Sequence, residues 1–464
     1  MLKSINPATE DVVETFEEFS TGAVDTALQR AYDAQRTWRM TSFGERSARL
    51  QSAARVLRAQ KERLAALATR EMGKPIVEAE AEIEKCAWNC DFYAEHAAEF
   101  LADEHVEMNL PDSFVAFEPL GVVLAIMPWN FPFWQVFRFA APALMAGNGA
   151  VLKHASNVPG CALAIEDVFR QAGTPDGLFR TVLVPGSGVE PLIADQRIAA
   201  VTLTGSSEVG ERVASAAGRH LKKQVLELGG SDPFIVLADA DLEAAVKVAV
   251  RARNQNNGQS CIAAKRFIVE DRVADRFTEQ FAAAVGALHV GDPMQRDTNV
   301  GPLARGDLRE TLVAQVEQSV AKGAHSVTGG APMNGKGYYY APTVLDGVTD
   351  QMPAFREETF GPVAAVIRAR DAEDAVRLAN DTQYGLGAAL WSRDLERAKQ
   401  LARRIEAGNV FINGMVASDP RIPFGGIKRS GYGRELSAYG IKEFTNIKTI
   451  VVGQPAAPPA RSAE

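Results

Sequence analysis

Residues 121–154, "GVVLAIMPWNFPFWQVFRFAAPALMAGNGAVLKH", decide the fold class. An apolar run predicts a buried strand, "FWQVFRFAAPALMAG" suits a helix, and "GAVLKH" predicts a second strand. The stretch is long enough to be considered as a membrane span, but Pro128, Pro132, Pro142, Asn130 and Arg138 interrupt it. A buried strand–helix–strand unit of a parallel sheet is therefore the better interpretation.

The alternation continues toward the C-terminus. Helical patterns ("CALAIEDVFRQAG", "EVGERVASAAG") alternate with strand patterns ("RTVLVPG", "AAVTLTG") up to residue 218. A second α/β segment begins near "LELGGSDPFIVLADADL" and runs to about residue 430, and residues 21–107 are mostly helical in pattern. Ligands of such sheets bind at the carboxyl ends of the strands, so catalytic and binding residues are expected at these positions.

Composition excludes several classes of protein. The chain has 464 residues, which predicts two or more domains, and its net charge of −8 argues against a broad nucleic-acid surface. Four cysteines make no disulfide framework, and the N-terminus lacks the apolar core of a signal peptide, so we expect a cytoplasmic protein without a membrane span. Cys86 and Cys90 fit a buried helix face better than a zinc site. The Pro- and Ala-rich tail, 456–464, is expected to be disordered.

Cys261 lies in "NQNNGQSCIAAKR", residues 254–266. We expect it in a loop between a helix over 241–257 and the strand "RFIVE". A loop cysteine becomes a nucleophile when its surroundings favour the thiolate. The local sequence is equally compatible with a buried structural cysteine.

Three further stretches could complete a catalytic site. Glu227 of "LELGG" is either a partly buried general base or an ordinary strand-end glutamate. Asn130 of "MPWNFP" is either an oxyanion donor or a turn asparagine. In "LTGSSEVG", residues 203–210, a strand ends at Gly205 and a helix begins at Ser206, which is a weak signal for a phosphate site.

Six motifs in this order, "PWNFP", "TGS", "LELGG", "GQSC", "EETFGPV" and "PFGGIKRSGYGRE", resemble the aldehyde dehydrogenase superfamily over nearly the whole chain. Among its members the chain is most similar to the bacterial succinate-semialdehyde dehydrogenase branch. The resemblance implies an α/β fold with a Rossmann-like cofactor domain, an α/β catalytic domain and a β-strand oligomerisation flap. We expect the cofactor domain in 1–104 and 119–228, the catalytic domain in 229–430, and the flap with a C-terminal segment in 105–118 and 431–455.

The resemblance also implies a mechanism. Cys261 would attack the aldehyde to give a thiohemiacetal, whose oxyanion is held by the side chain of Asn130 and the backbone N–H of Cys261. Hydride transfer to a nicotinamide would leave a thioester, and Glu227 would activate the water that hydrolyses it. Glu435 matches a glutamate of a proton relay, but Phe139 stands where many members have a lysine, which puts that relay in doubt.

Cofactor residues are implied in the same way. Trp129 and Lys153 would lie near the adenosine ribose, and Gly205 and Ser206 would contact the pyrophosphate. The remaining positions would hold the nicotinamide ribose and ring (Glu358, Phe360) or line the adenine side (Gly186, Val209, Gly210).

Ser156 is a departure that bears on cofactor choice. NAD-preferring members often have a glutamate there, which would repel a 2′-phosphate, whereas a serine beside Lys153 can bind one. We therefore expect NADP to be preferred, with NAD possible. Alternatively, Ser156 is merely small and tolerates both.

Arg138 is the specificity clue. It follows Asn130 by eight residues, about two helical turns, and its guanidinium would need a carboxylate partner in an apolar tunnel. A substrate carboxylate would serve, and a structural acid is the alternative. Arg421 is either a second clamp or an exposed loop arginine. Ser260 is expected to hydrogen-bond the substrate, between apolar walls of Phe131, Trp134 and Phe424.

The resulting expectation is an oxidoreductase that converts succinate semialdehyde to succinate with NADP or NAD. Alternatives are a dehydrogenase of another aldehyde (glutarate semialdehyde or an aliphatic one), a non-redox cysteine hydrolase or acyltransferase, and a non-catalytic protein with the same fold. The flap strands, "SFVAFEPL" and "FTNIKTIVV", imply a homodimer or homotetramer.

Overall fold

The computed structural model describes residues 1–110 and 112–453, which form four sheets and their covering helices. The strands are β1 (Leu2–Ile5), β2 (Val12–Phe16), β3 (Glu104–His105), β4 (Asp112–Pro119), β5 (Val122–Met127), β6 (Gly149–His154), β7 (Phe179–Thr181), β8 (Ile198–Thr204), β9 (Lys223–Glu227), β10 (Asp232–Val236), β11 (Ala264–Glu270), β12 (His325–Thr328), β13 (Thr343–Asp346), β14 (Val363–Ala369), β15 (Gly387–Trp391), β16 (Asn409–Ile412), β17 (Gly431–Tyr432) and β18 (Thr445–Val452).

The helices are α1 (Thr21–Trp38), α2 (Phe43–Ala59), α3 (Lys61–Met72), α4 (Ile76–Phe100), α5 (Trp134–Met145), α6 (Pro159–Gln171), α7 (Val189–Ala194), α8 (Ser207–Arg219), α9 (Leu242–Asn254), α10 (Asp271–Gly286), α11 (Gly306–Ala321), α12 (Pro353–Arg356), α13 (Ala372–Asn380), α14 (Leu395–Ala402) and α15 (Ser437–Glu443). Short 3₁₀ turns occupy Gly186–Gly188, Gln255–Gly258 and Lys428–Ser430.

A six-stranded sheet, in the order β17-β9-β8-β5-β6-β7, is parallel except for β17. Every residue of β5 and β6 is buried, as expected for a parallel sheet covered on both faces. Alternate residues of β5 face different layers: Val122 and Leu124 pack with α1, α7 and α8, whereas Val123 and Ala125 pack with α2 to α6. The α/β class and the strand–helix–strand unit of 121–154 are confirmed.

A seven-stranded sheet, in the order β12-β13-β14-β11-β10-β15-β16, carries the second half of the chain. Only β12 is antiparallel to its neighbour. Helices α9 and α10 pack on one face, and α11 to α14 pack on the other. β5, β8 and β9 run parallel, so their carboxyl ends lie at one edge of the six-stranded sheet, and Asn130, just after β5, hydrogen-bonds the loop that precedes β11.

The segments expected to form the flap lie in two places. β18 pairs with β4 from Thr445 opposite Pro119 to Val452 opposite Asp112, and β3 pairs with the other edge of β4. β17, at the start of the segment 431–455, instead forms the edge of the six-stranded sheet beside β9. The expected disordered tail, 456–464, lies outside the described residues.

Cys86 and Cys90 are fully buried in α4 and are free thiols, as the interpretation of a buried helix face required. Among the residues that the structure describes, no helix is long and apolar enough to cross a membrane.

Candidate active site

The loop that carries Cys261 begins with a change of helix type. The helix predicted over 241–257 ends at Asn254 and continues as a 3₁₀ turn, in which Asn256 and Asn257 have φ angles of 55° and 58°. Asparagine tolerates this left-handed conformation, and here the side chains bind distant backbone. Asn256 Nδ2 donates to the carbonyl of Asn130 (2.8 Å), and Asn257 Nδ2 donates to the carbonyl of Gly73 (2.8 Å). The turn therefore docks the loop onto the first half of the chain.

A buried lysine holds the loop around Cys261 through its backbone carbonyl groups. Lys265 Nζ donates to the carbonyl oxygens of Ser260 (2.9 Å), Cys261 (2.8 Å) and Ala263 (3.3 Å). It also lies 3.5 Å from Glu358 Oε1. The carbonyls are thus engaged, whereas the backbone N–H of Cys261 donates no hydrogen bond to any described residue. That N–H is available to a ligand.

Cys261 borders a cavity of about 230 Å³. Its lining includes the expected substrate residues Arg138, Phe131, Trp134, Ser260 and Phe424. Burial raises the pKa of the Cys261 thiol to about 12, although Arg138 and Lys265 oppose the shift. The thiol is therefore protonated at neutral pH and needs a base to become a nucleophile.

Glu227 ends β9 in a buried position, 2% exposed. Neither of its carboxyl oxygens has a hydrogen-bond partner among the described residues. Burial raises its pKa well above the ordinary value, the nearby Glu435 adds to the shift, and Arg138 and Arg434 oppose it. A carboxyl group in such surroundings takes up a proton readily, as a general base must.

Asn130 follows β5 and is buried beside the nucleophile loop. Its Nδ2 donates to the carbonyl of Gln259 (3.1 Å), two residues before Cys261. An amide nitrogen carries two N–H groups, so the second is left for a ligand. Asn130 and Glu227 themselves are not part of the cavity lining, but their neighbours Phe131, Ser260 and Arg138 are.

Lys153 and Ser156 lie at the carboxyl end of β6. Lys153 is only 8% exposed, desolvation lowers its pKa, and it makes no hydrogen bond or ion pair with the rest of the described chain. Ser156 is exposed in the turn that follows. A poorly solvated ammonium beside a free hydroxyl fits a phosphate group.

The other expected cofactor residues occupy varied settings. Ser206 caps α8, and Val209 is exposed one turn later, but the N–H of Gly205 already donates to the carbonyl of Glu227 (3.0 Å). Gly210 is buried, and a Cβ there would lie 2.5 Å from Leu228 Cδ1, so close packing of α8 is a sufficient reason for this glycine. Gly186 begins the 3₁₀ turn before α7.

Two aromatic side chains and one acidic side chain are the last of the expected cofactor residues. The rings of Trp129 and Phe360 meet edge to face, with centroids 5.7 Å apart. Glu358 accepts the N–H of Gly230 (3.0 Å). The ammonium, the hydroxyl, the helix N-terminus and the ring pair together fit an anionic dinucleotide.

Comparison with known proteins identifies the family. Residues 1–450 match the family model "Aldehyde dehydrogenase family". The chain belongs to the aldehyde dehydrogenase family. Its structure agrees, since the chain superposes on the succinic semialdehyde dehydrogenase of Streptococcus pyogenes, solved in complex with NADP+, with a TM-score of 0.96 and 38% identity over 98% of this chain and 100% of that one.

Curated relatives of this aldehyde dehydrogenase share its full length. A probable succinate-semialdehyde dehydrogenase [NADP(+)] of Synechocystis is 55% identical over 97% of this chain and 99% of the relative. A succinate semialdehyde dehydrogenase [NAD(P)+] of Escherichia coli strain K12 is 52% identical over 96% of this chain and 97% of the relative.

Arg138 has a carboxylate partner inside this aldehyde dehydrogenase. Its guanidinium forms an ion pair with buried Glu435, donates to Thr204 Oγ1 (3.2 Å) and lies 4.9 Å from the ring centroid of Phe424. Of the two partners left open by the sequence, the structural acid is present as Glu435. It stands 297 residues later in the chain, and no local pattern connects the two. Arg138 still lines the cavity.

Arg421 was expected to be either a second clamp for the substrate or an exposed loop arginine, and the structure shows it exposed in a loop. It pairs with Asp419 at 2.6 Å, its side chain is 69% exposed, and it does not contribute to the cavity lining. Its position offers no clamp for a substrate carboxylate in this aldehyde dehydrogenase.

Several residues of the site were not expected from the sequence. Lys85 of α4 and Ser418 line the cavity, and Lys265 holds the nucleophile loop. Lys265 stands within the quoted motif "NQNNGQSCIAAKR", where a lysine four residues after the nucleophile was a usable signal. Lys85 lies far from every motif, and only its place among apolar residues of a long helix marks it.

The high pKa of Cys261 predicts how alkylation depends on pH. Below the pKa, the thiolate fraction rises tenfold per pH unit. We expect the rate of iodoacetamide labelling to rise about tenfold per unit between pH 7 and 9, measured by mass spectrometry of the native enzyme. Cys261→Ala is the control, because the other three cysteines are fully buried. A labelling rate that levels off near pH 8 would contradict this pKa.

Proposed function

We propose that this aldehyde dehydrogenase oxidises succinate semialdehyde to succinate, with NADP preferred and NAD accepted. The observation that carries the proposal is the charge of the cavity at Cys261. Three cationic side chains, Lys85, Arg138 and Arg251, line it. Its two acidic residues, Glu78 and Glu82, are engaged by backbone N–H groups. The cavity therefore favours an aldehyde that carries a carboxylate, and the names of the relatives support the same substrate.

The chemistry proceeds on Cys261. Its thiol loses a proton to water, and its sulfur forms a bond to the aldehyde carbon. The carbonyl oxygen becomes an oxyanion, held by the second N–H of Asn130 and the backbone N–H of Cys261. One such donor is worth about 3–4 kcal/mol in a transition state.

A bound oxidised nicotinamide supplies the acceptor for the hydride. We assign its phosphates and ribose to Lys153, Ser156, Ser206 and Glu358, with Trp129 and Phe360 as aromatic contacts. The remaining Cys261 thioester is hydrolysed by a water that gives a proton to Glu227 while its oxygen bonds to the acyl carbon. The carbon–sulfur bond then breaks, and the sulfur takes the proton back from Glu227, which releases the carboxylic acid and the thiol.

Arg138 takes part through Glu227 and Glu435. We propose that the guanidinium balances these two buried carboxyl groups, since Arg138 opposes the rise of the pKa of both. Where many members of the family have a lysine, this chain has Phe139, which is buried against Phe444. Arg138, the residue before Phe139, supplies the cation for Glu435 instead.

The assembly is expected to be a homodimer or homotetramer. The β18–β4 sheet supports this proposal, because β18 is an edge strand with Ile447, Val451 and Val452 exposed. Paired edges of this kind bury both the strand edge and its apolar side chains. The four cysteines are free thiols, which favours a reducing compartment, and we propose the cytoplasm.

The direct test crosses two aldehydes with two cofactors. Initial rates are measured with succinate semialdehyde and butanal, each with NADP and NAD. We expect kcat/KM to favour the acid-bearing aldehyde by about tenfold or more, as one charged hydrogen bond of roughly 1.5–3 kcal/mol provides. Equal rates with both aldehydes would remove succinate semialdehyde as the substrate while leaving the family chemistry intact.

Glu227→Gln tests the deacylation base. Glutamine keeps the shape of the side chain but cannot accept the proton of water. We expect a burst of reduced cofactor followed by a steady-state rate lower by at least about a hundredfold, in rapid-mixing absorbance measurements. Glu208→Gln, an exposed glutamate of α8, is the matched control. An unchanged steady state in Glu227→Gln would show that another group hydrolyses the thioester.

Ser156→Glu tests the choice of cofactor. A carboxylate next to Lys153 repels the 2′-phosphate of NADP and can accept the ribose hydroxyls of NAD. We expect the ratio of kcat/KM for NADP over NAD to fall about tenfold to a hundredfold. Ser326→Glu adds the same charge to β12, in the other large sheet, and should leave the ratio unchanged. A ratio that does not move in Ser156→Glu would exclude contact of Ser156 with the 2′-phosphate.

A further inference from the structure

One acid of α4 holds the start of helix α5. Glu82 is buried, and its carboxylate accepts the backbone N–H groups of Phe133 and Trp134 at 2.8 Å each. The first N–H groups of a helix have no partner within the helix, and a carboxylate satisfies them well. Fully buried Lys74 pairs with Glu82 and balances its charge. Asn130 stands three residues before Phe133, so this contact ties the Asn130 segment to α4.

A second acid of α4 holds the turn before the nucleophile. Glu78 accepts the backbone N–H of Asn256 (2.5 Å), which is buried in the 3₁₀ turn with a φ angle of 55°. Glu78 and Glu82 are four residues apart on one face of the helix, and both line the cavity at Cys261. Helix α4 therefore sets the spacing between the Asn130 segment and the turn that precedes Cys261.

The side chain of Asn256 closes these contacts into a ring. Its Nδ2 donates to the carbonyl of Asn130 (2.8 Å) and to the carbonyl of Gln259 (2.9 Å). The Nδ2 of Asn130 donates to the same carbonyl of Gln259 (3.1 Å). One N–H of the planar Asn130 amide is thus committed, and this fixes the direction of the other. Asn256 therefore joins Asn130 to the segment that ends in Cys261.

The neighbouring asparagine of the turn has a different set of contacts. Asn257 also has a left-handed φ angle, 58°, and its Nδ2 donates to the carbonyls of Gly73 and Pro302. Neither of these residues carries a donor for an oxyanion. Asn257 therefore docks the loop onto the rest of the chain, whereas Asn256 contacts Asn130 itself.

We propose that Asn256, anchored by Glu78 of α4, is the positioning residue of the oxyanion hole. It directs the free N–H of Asn130 toward the same point as the backbone N–H of Cys261. The inference rests on the proposed function, in which these two donors hold the oxyanion formed from the aldehyde. Asn256 and Glu78 act through Asn130, so their contribution is made in the transition state, where the aldehyde oxygen carries charge.

Asn256→Gly tests the inference, because glycine adopts the left-handed conformation without strain and removes the amide. We expect the rate of cofactor reduction in the first turnover to fall about tenfold to a hundredfold at saturating aldehyde, in rapid-mixing absorbance measurements. KM should stay within about threefold. Asn256→Asp keeps the shape of the side chain but cannot donate to the two carbonyls, and it should lose at least as much.

A double-mutant cycle with Asn130→Ala separates positioning from a general structural role. We expect Asn130→Ala alone to lower the first-turnover rate about a hundredfold to a thousandfold. If Asn256 acts through the Asn130 amide, adding Asn256→Gly to that variant should cost less than about threefold more. Alkylation of Cys261 by iodoacetamide forms no oxyanion, so its rate in Asn256→Gly should stay within about twofold of the native rate.

Two variants of Glu78 test the anchor. Glutamine keeps an oxygen for the N–H of Asn256, so Glu78→Gln should hold the first-turnover rate within about threefold of the native rate. Glu78→Ala removes the acceptor and should lose about threefold to tenfold. Glu95→Ala is the matched control on the same helix, because the Glu95 side chain is 76% exposed, and it should behave as the native enzyme does.

The outcomes against the inference are distinct. An unchanged first-turnover rate in Asn256→Gly would overturn it. Losses from Asn256→Gly and Asn130→Ala that multiply in the double variant would show that the two residues act independently. Alkylation of Cys261 that slows as much as turnover would show a structural role only.

Failure of the substrate assignment is separable, because every aldehyde forms the oxyanion. The cycle is therefore run with succinate semialdehyde and with butanal. If the native enzyme oxidises both alike and the coupling of Asn256 to Asn130 appears with both, the positioning role stands and the substrate assignment fails. A preference for succinate semialdehyde without that coupling would leave the proposed function intact and overturn the inference.

Discussion

A single buried ammonium holds the catalytic loop of this enzyme. Lys265 collects three carbonyl oxygens from residues 260–263, and Glu358 lies close enough to balance its charge. Desolvation lowers the pKa of Lys265, so these contacts are what keep a charged group in the protein interior. Because the carbonyls face the ammonium, the N–H of Cys261 stays free for an oxyanion. The same cation also touches the carboxylate that we assign to the nicotinamide ribose.

Charged side chains lie on two different sides of Cys261. On one side, Glu227 and Glu435 are buried with Arg138, and burial raises the pKa of both carboxyl groups. On the other side, the cavity offers Lys85 and Ser418 to a ligand. The sequence had left two roles open for Arg138, a contact with a substrate carboxylate or an ion pair with a structural acid, and Glu435 is such an acid.

The fold class followed from the local sequence, and the roles of Cys261, Glu227 and Asn130 came from the resemblance to a family. The pairing of distant charges followed from neither. The apolar runs of β5 and β6 and the motifs at strand ends identify the sheet edge where Asn130 and Glu227 lie. The structure places Asn130 beside the nucleophile loop, where its Nδ2 donates to the carbonyl of Gln259. Arg138 with Glu435 and Lys85 with Ser418 join residues 297 and 333 positions apart, and no periodicity reports such contacts. Gly210, which the resemblance assigned to the adenine side of the cofactor, has a packing reason as well, because a Cβ there would meet the side chain of Leu228.

The asparagine turn before Cys261 also determines when the enzyme becomes active during its own synthesis. Its side chains join Asn256 to Asn130 and Asn257 to Gly73, which are separated by 126 and 184 residues, and Asn257 also binds the carbonyl of Pro302. Contacts that close such long loops form late, because the chain entropy they remove must first be offset by folded neighbours. The five parallel strands β5 to β9 all precede residue 228, so they can assemble while the ribosome is still adding residues. The contact of Asn257 with Pro302 requires residue 302 to be present, so a growing chain contains the cysteine before the contacts that hold its loop are complete.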